Sequence, residues 1–241
     1  FRRVLFRSAC QIIHTEHAIS NDDKPSQAVR KGKNSSMWLA IESVEKGQCC
    51  AVVSAGNTGA LMAMSKLILR TLPGISRPAI AALFPTLRGE CVMLDLGANV
   101  ESDAQDLYKF AIMGDAFARA VLGLNRPRIG LLNIGAEELK GRDEIKEAAA
   151  LLKSSPLSLN FCGFVEGNDI TAGKADVIVS DGFTGNIALK TAEGTAKLVG
   201  QFLRRSLKRS LLGQIGAFIA SGALNTLRRR LDPRAANGGI F

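Results

Sequence analysis

Asp176-Val-Ile-Val-Ser-Asp-Gly-Phe-Thr-Gly-Asn186 reads as a short apolar strand that runs into a small-residue turn and then a helix. Val177, Ile178 and Val179 are apolar on consecutive rather than alternate positions, the pattern of a strand covered on both faces. Two more stretches repeat the arrangement. Ala51-Val-Val-Ser-Ala-Gly-Asn-Thr-Gly59 enters a helix at Ala60, and Ile129-Gly-Leu-Leu-Asn-Ile-Gly-Ala-Glu137 continues through Lys140 and Gly141. In an open parallel sheet, turns of this kind gather at the carboxyl ends of the strands, where ligands bind.

Working outward, Cys50–Val53, Ala79–Phe84, Val92–Leu96, Ile129–Leu132, Asn160–Val165 and Asp176–Val179 are predicted strands. Helices are predicted over about Ser36–Lys46, Gly59–Thr71, Asp103–Leu122, Arg142–Lys153 and Thr184–Leu212. In the third of these, Leu107, Phe110, Ala111, Gly114, Phe117, Ala118 and Val121 recur at three- and four-residue steps, with Ser102 or Asp103 available as N-cap. Strand–helix alternation implies right-handed crossovers and an α/β fold with a mainly parallel sheet covered on both faces. Residues 9–241 read as a single α/β domain. Phe1-Arg-Arg-Val-Leu-Phe-Arg-Ser8 reads instead as the translation of common sequencing-adaptor DNA, and Gly238-Gly-Ile-Phe241 stops as if a strand were beginning, so the chain is expected to be a fragment.

Composition narrows the classes. With 46% hydrophobic residues in 241, wholesale disorder is excluded. Aromatics at 5% argue against a base-stacking nucleic-acid surface. The formal charge of +9 falls to +6 without Arg2, Arg3 and Arg7 and stays basic, which suits an acidic partner or anionic substrate. The five cysteines have neither Cys-x-x-Cys nor Cys/His ligand spacing, so they are expected to be reduced, buried thiols of a cytoplasmic protein, with no metal. Ser210–Leu227 is eighteen residues without a charge, between Arg204, Arg205, Lys208, Arg209 and Arg228, Arg229, Arg230. Gln214, Asn225 and three glycines make it a poor membrane span. A helical hairpin over about 204–230 is expected, packed on the domain or a second copy, or dipping its tip into an anionic membrane surface.

The three turns combine free helix-start N–H groups with small residues, which is the chemistry of an anion site. Gly56, Asn57, Thr58 and Gly59 in the first, and Thr184, Gly185 and Asn186 in the third, supply neutral donors; Lys140 supplies a mobile cation. No Gly-x-Gly-x-x-Gly and no Gly-Lys-Ser/Thr is present, so a dinucleotide or P-loop site is not indicated. A fourth turn, Asp95-Leu-Gly-Ala-Asn99, carries a carboxylate that is expected to bond its own backbone N–H groups. Glu137 and Glu138 are general-base candidates or simply favour the helix that follows, and Asp181 is a candidate N-cap. His14 and His17 fit surface or packing roles. Arg30-Lys-Gly-Lys33 fits a solvated face or a basic lip. Nothing suggests covalent acyl transfer: there is no Gly-x-Ser-x-Gly elbow and no cysteine with a nearby histidine.

Taken in order, the motifs resemble the phosphate acyltransferases of bacterial phospholipid synthesis. The matching stretches are His14, Lys24-Pro25, Ala28-Val-Arg30 and Ser35-Ser-Met37, then Ser54-Ala-Gly-Asn-Thr-Gly-Ala-Leu-Met62 and Arg77-Pro-Ala79. They continue with Asp95-Leu-Gly-Ala-Asn99, Asn133-Ile-Gly-Ala-Glu-Glu-Leu-Lys-Gly141 and Ser180-Asp-Gly-Phe-Thr-Gly-Asn-Ile-Ala-Leu-Lys190. The resemblance implies transfer of a fatty acyl group from acyl carrier protein to inorganic phosphate, with no cofactor. It also implies a three-layer α/β/α sandwich like that of isocitrate and isopropylmalate dehydrogenases, a homodimer, and peripheral attachment to the inner face of the cell membrane. It places the catalytic roles on Lys140 and Asn186; beside it, the turn residues Gly56, Asn57, Thr58, Gly59, Asp181, Thr184 and Gly185 are expected to bind phosphate. The family's Gly-rich amino-terminal strand has no counterpart here. The alternatives are a short-chain phosphate acyltransferase using acyl-coenzyme A, and a non-catalytic membrane-surface scaffold.

Overall fold

The computed structural model describes residues 10–230 and 239–240; the adaptor-like Phe1–Ser8 lies outside the described residues. The sequence was read as one domain, whereas the backbone divides into two compact units, Phe1–Ile75 and Ser76–Phe241.

The first unit contains α1 (Pro25–Lys31), α2 (Ser36–Glu45) and α3 (Thr58–Ile68). Each start has a local cause. Pro25 sits in the first turn of α1, where no N–H is needed. The Ser35 Oγ accepts from Trp38 N (3.3 Å) at α2, and the Asn57 Oδ1 accepts from Ala60 N (3.0 Å) at α3. Ala28, Met37, Ile41, Ala60 and Met64 form its core. The predicted strand Cys50–Val53 is not formed: Ala51–Ser54 are irregular and Val53 is 95% exposed. An apolar run becomes a strand only with a ladder partner, and no strand lies in this unit among the described residues.

The second unit carries a six-stranded sheet. Its strands are β1 (Ile80–Thr86), β2 (Gly89–Leu94), β3 (Arg128–Leu132), β4 (Asn160–Val165), β5 (Val177–Val179) and β6 (Gly239–Ile240), in the order β4-β3-β5-β2-β1-β6. The β2–β5, β5–β3 and β3–β4 pairings are parallel; β1–β2 and β1–β6 are antiparallel. The sheet is therefore mixed, because β1 and β2 form a hairpin through Leu87 and Arg88 where a crossover was expected. Cys91–Leu94, Ile129–Leu132 and Val177–Val179 are all buried, as central strands covered on both faces must be.

Alternate residues of these strands feed two cores. Val92, Leu94, Ile129, Leu131, Val177 and Val179 face α4 (Ala104–Leu122) and α5 (Asp143–Lys153), which contribute Leu107, Phe110, Ile145 and Leu152. Cys91, Met93, Leu132 and Ile178 face the opposite side, where Ile170 of α6 (Gly167–Ala172) and Leu189 of α7 (Gly182–Lys208) pack. Each large side chain buried this way contributes about 2 kcal/mol. The Asp103 Oδ1 accepts from Asp106 N (2.7 Å) to start α4, and Gly123 in the left-handed region ends it.

Beyond its first turns α7 leaves the sheet, and Leu198, Val199 and Phe202 are exposed. It stops at Lys208, four residues short of the predicted end, because Ser210 caps a new helix by accepting from Gly213 N (3.0 Å). The uncharged stretch then forms α8 (Leu211–Ile219) and α9 (Ser221–Arg230). Leu211, Leu212, Ile215, Phe218 and Ile219 are exposed rather than packed on the domain. Among the described residues no helix is long and apolar enough to cross a membrane.

The cysteines need correction. Only Cys91 is buried, and burial, with Asp176 nearby, pushes its thiol up to about 12. Cys10, Cys49, Cys50 and Cys162 are exposed: Cys49 and Cys50 follow the end of α2, and Cys162 lies on β4, an edge strand of the sheet among the described residues.

Candidate active site

Three of the four turns singled out in the sequence follow β2, β3 and β5, which are adjacent and parallel across β3-β5-β2. Their carboxyl ends share one edge of the sheet. The fourth, Gly56–Gly59, belongs to the first unit.

The turn after β2 is closed on itself. Asp95 is fully buried (0% exposed), and its Oδ1 accepts from the backbone N–H groups of Ile80 (3.0 Å), Gly97 (3.2 Å) and Ala98 (2.9 Å). Its Oδ2 accepts from Asn99 N (2.7 Å) and Asn99 Nδ2 (2.9 Å). No lone pair faces solvent, so Asp95 is a structural carboxylate. The turn in turn seats α7: the Asn99 carbonyl accepts from Gly182 N (2.8 Å), and Gly185 lies so close to the Asp95 carbonyl that a Cβ there would overlap it.

The turn after β5 supplies Asp181, Thr184, Gly185 and Asn186. The Asp181 carboxylate is buried, caps α7 by accepting from Thr184 N (2.8 Å), and accepts from Thr184 Oγ1 (3.0 Å) and from Arg142 Nη2. These bonds are all to protein donors, so the contribution of this side chain to an anion site is to hold Thr184 and Arg142. Asn186 is exposed on the first turn of α7, with its side chain against Gly97 of the Asp95 turn.

The turn after β3 supplies Lys140. The Asn133 N–H donates to the Val165 carbonyl (2.9 Å), and its Nδ2 donates to the carbonyls of Gly135 (3.2 Å) and Lys140 (3.0 Å). Lys140 is 54% exposed, and its Nζ meets Glu137 Oε1 at 2.8 Å. The hydrogen bond from Lys140 holds the Glu137 carboxyl below the usual carboxylate range and raises Lys140 above that of an ordinary lysine. Glu138 pairs instead with Lys153. Arg142, the N-cap residue of α5, then reaches Asp181. That ion pair ties the Lys140 loop to the helix bearing Asn186.

In the first unit, the Asn57 carboxamide is fully engaged. Its Oδ1 caps α3, and its Nδ2 donates to the carbonyls of Ser20 (3.2 Å), Asn21 (3.1 Å) and Asp23 (2.9 Å). What this turn can offer an anion is the helix-start amides of Thr58 and Gly59, which have no acceptor within the helix. Gly56 N–H is turned to Ser54 Oγ (3.2 Å).

Lys140 and Asn186 thus lie in the segments that follow two neighbouring parallel strands, β3 and β5. Sequence reasoning singled out neither Asn133 nor Arg142. The signal for Asn133 was its place as the first residue past an apolar strand and before a glycine turn. None existed for Arg142, whose partner is 39 residues away.

The chain matches the fatty acid synthesis protein family over residues 4–241. It is 58% identical over 235 residues to the phosphate acyltransferase of Paramagnetospirillum magneticum, covering 98% of this chain and 67% of the relative. It is 62% identical over 228 residues to the phosphate acyltransferase of Rhodospirillum centenum, covering 95% and 64%. The chain belongs to the phosphate acyltransferase family. It is therefore a member of an acyltransferase enzyme family, and it spans about two thirds of the length of the curated relatives it matches. Among solved structures it resembles a phosphotransacetylase from Streptococcus pyogenes (TM-score 0.57, 21% identity, 81% of this chain and 71% of that one). A EutD phosphotransacetylase from Staphylococcus aureus is similar over the same shares (TM-score 0.52, 16% identity). At these identities the likeness concerns the α/β fold.

Proposed function

We propose that this protein transfers a fatty acyl group from an acyl-carrier-protein thioester to inorganic phosphate, forming acyl phosphate for phospholipid synthesis. The observation that supports this reading is that Lys140 and Asn186 lie in the loop and the helix that follow adjacent parallel strands, segments tied together by Arg142 and Asp181, in a chain 58% identical to a phosphate acyltransferase. The fold assigned with it is the three-layer sandwich of the isocitrate dehydrogenase group.

In this mechanism an oxygen of the phosphate dianion attacks the thioester carbonyl carbon. The C–O bond forms as the carbonyl electrons move to oxygen. The tetrahedral intermediate then collapses, the C–S bond breaks, and the thiolate leaves and takes up the proton that the acyl phosphate releases. Phosphate is already a nucleophile, so the site supplies orientation and charge stabilisation rather than a strong base. Lys140 neutralises phosphate or the developing oxyanion by exchanging its Glu137 contact for the substrate. Asn186 donates a hydrogen bond. Thr184 and Gly185 line the phosphate, and Asp181 holds Thr184 in place.

The basic balance of the chain suits an acidic carrier protein, because opposite charge speeds encounter. The exposed α8 residues between Arg204, Arg205, Lys208, Arg209 and Arg228 support peripheral contact with an anionic membrane by a cytoplasmic homodimer. Two experiments test these readings. Acyl phosphate formation is measured with carrier-protein and coenzyme A thioesters of several chain lengths; a clear preference for short coenzyme A esters would overturn the assigned donor. Flotation with anionic liposomes is compared before and after changing Leu212, Ile215, Phe218 and Ile219 to Ser, and unchanged binding would remove α8 from membrane contact.

A further inference from the structure

We infer that Asn133 is the positioning residue of the phosphate site, its buried carboxamide fixing the loop that presents Lys140; this rests on the role given to Lys140 above. Asn133 is 8% exposed and stands at the point where the chain leaves β3. Its backbone N–H is held by Val165 of β4, so its Cα is anchored to the sheet. From that anchor one planar amide reaches both ends of the loop, donating to the Gly135 carbonyl at 3.2 Å and the Lys140 carbonyl at 3.0 Å. Two carbonyl acceptors require the nitrogen, not the oxygen, on that side.

The arrangement has an internal cost. The Asn133 Oδ1 is buried with no hydrogen-bond partner, and an unpaired buried acceptor destabilises the fold. An apolar side chain would avoid that cost but could not hold the two carbonyls. Gly141 completes the frame: its φ is +94°, and a Cβ on it would collide with the Asn133 carboxamide. The stem of Lys140 lies against Gly135, while its ammonium remains exposed against Glu137. The root of the cation is fixed and its tip is free to exchange partners. Both Nδ2 acceptors lie in the loop itself, so loss of the amide loosens the placement of Lys140 rather than the sheet.

The test is a double-mutant cycle in the full chain, with rates expressed per folded molecule from circular dichroism. Asn133→Ala and Gly141→Ala are made alone and with Lys140→Ala, and acyl phosphate formation is followed against phosphate concentration. Each single loop variant is expected to lower kcat/KM for phosphate by about tenfold or more. In the Lys140→Ala background neither is expected to lower it further. The same loss in both backgrounds, or a folded Asn133→Ala with unaltered kcat/KM, would overturn the inference and leave the role of Lys140 standing. Full activity of Lys140→Ala would instead sink the site reading on which the inference rests. If Asn133→Ala does not fold, the Gly141→Ala arm decides the same question.

Discussion

Asp95-Leu-Gly-Ala-Asn99 and Asn133-Ile-Gly-Ala-Glu137 are near-copies in sequence, each placed at the end of a parallel strand. Their first residues differ by one group, and the two turns do opposite things. The Asp95 carboxylate accepts hydrogen bonds from Ile80, Gly97, Ala98 and Asn99, drawing the turn inward until it serves only as a seat for α7. The Asn133 amide donates instead, gathers two carbonyls beneath the loop, and leaves Lys140 and Glu137 facing solvent. An acceptor at that position organises N–H groups into a platform; a donor organises carbonyls and pushes a cation out. On the proposed function, chemistry belongs to the second turn and scaffolding to the first.

The largest effect should come from the platform. Asp95→Ala leaves several buried N–H groups without an acceptor and is expected to cost about 4 kcal/mol, seen as a large drop in denaturant midpoint. A loss under about 1 kcal/mol would mean that the turn closes without its carboxylate. Next comes the link between the two ends. Asp181→Ala removes the α7 cap and the Arg142 partner, with an expected loss of about 2 kcal/mol in the same measurement.

Smaller effects separate the two acidic residues of the Lys140 loop. Glu137→Gln frees Lys140 from its internal anion, so KM for phosphate is expected to fall a fewfold. The carboxylate raises the lysine, and its removal lowers it, so the alkaline fall in activity should begin at lower pH in this variant. An unmoved alkaline limb would dissociate that limb from Lys140. Glu138→Gln, which removes the exposed ion pair with Lys153, should leave both the rate and the melting temperature unchanged.

Local signals in the chain were enough for much of the fold. The strand predicted over Asn160–Val165 is formed with the same bounds, and Asp103 caps α4 where a cap was expected. Asp181 also caps its helix, and Asp95 bonds its own turn. What failed was anything that depended on a partner elsewhere. Cys50–Val53 has strand composition but no ladder, and β1 with β2 forms a hairpin that apolar runs alone could not distinguish from a crossover. Four cysteines sit in or beside apolar runs yet face solvent, because burial depends on what covers a run and not on the run itself. At the site, Lys140 and Asn186 were legible as a cation and a donor beside glycines. The Arg142–Asp181 tie and the double donation from Asn133 were not, since both depend on where β3 and β5 end in space.

The central claim is tested most directly by phosphate-dependent release of carrier-protein thiol from an acyl-carrier-protein thioester, run side by side with the full chain and its Lys140→Ala variant. The expected result is thiol release that rises with phosphate and saturates in the unaltered protein, and falls about a hundredfold in a variant that remains folded, equivalent to about 2.7 kcal/mol of barrier. Thiol release that ignores phosphate, or a folded Lys140→Ala that keeps pace with the unaltered protein, would contradict it.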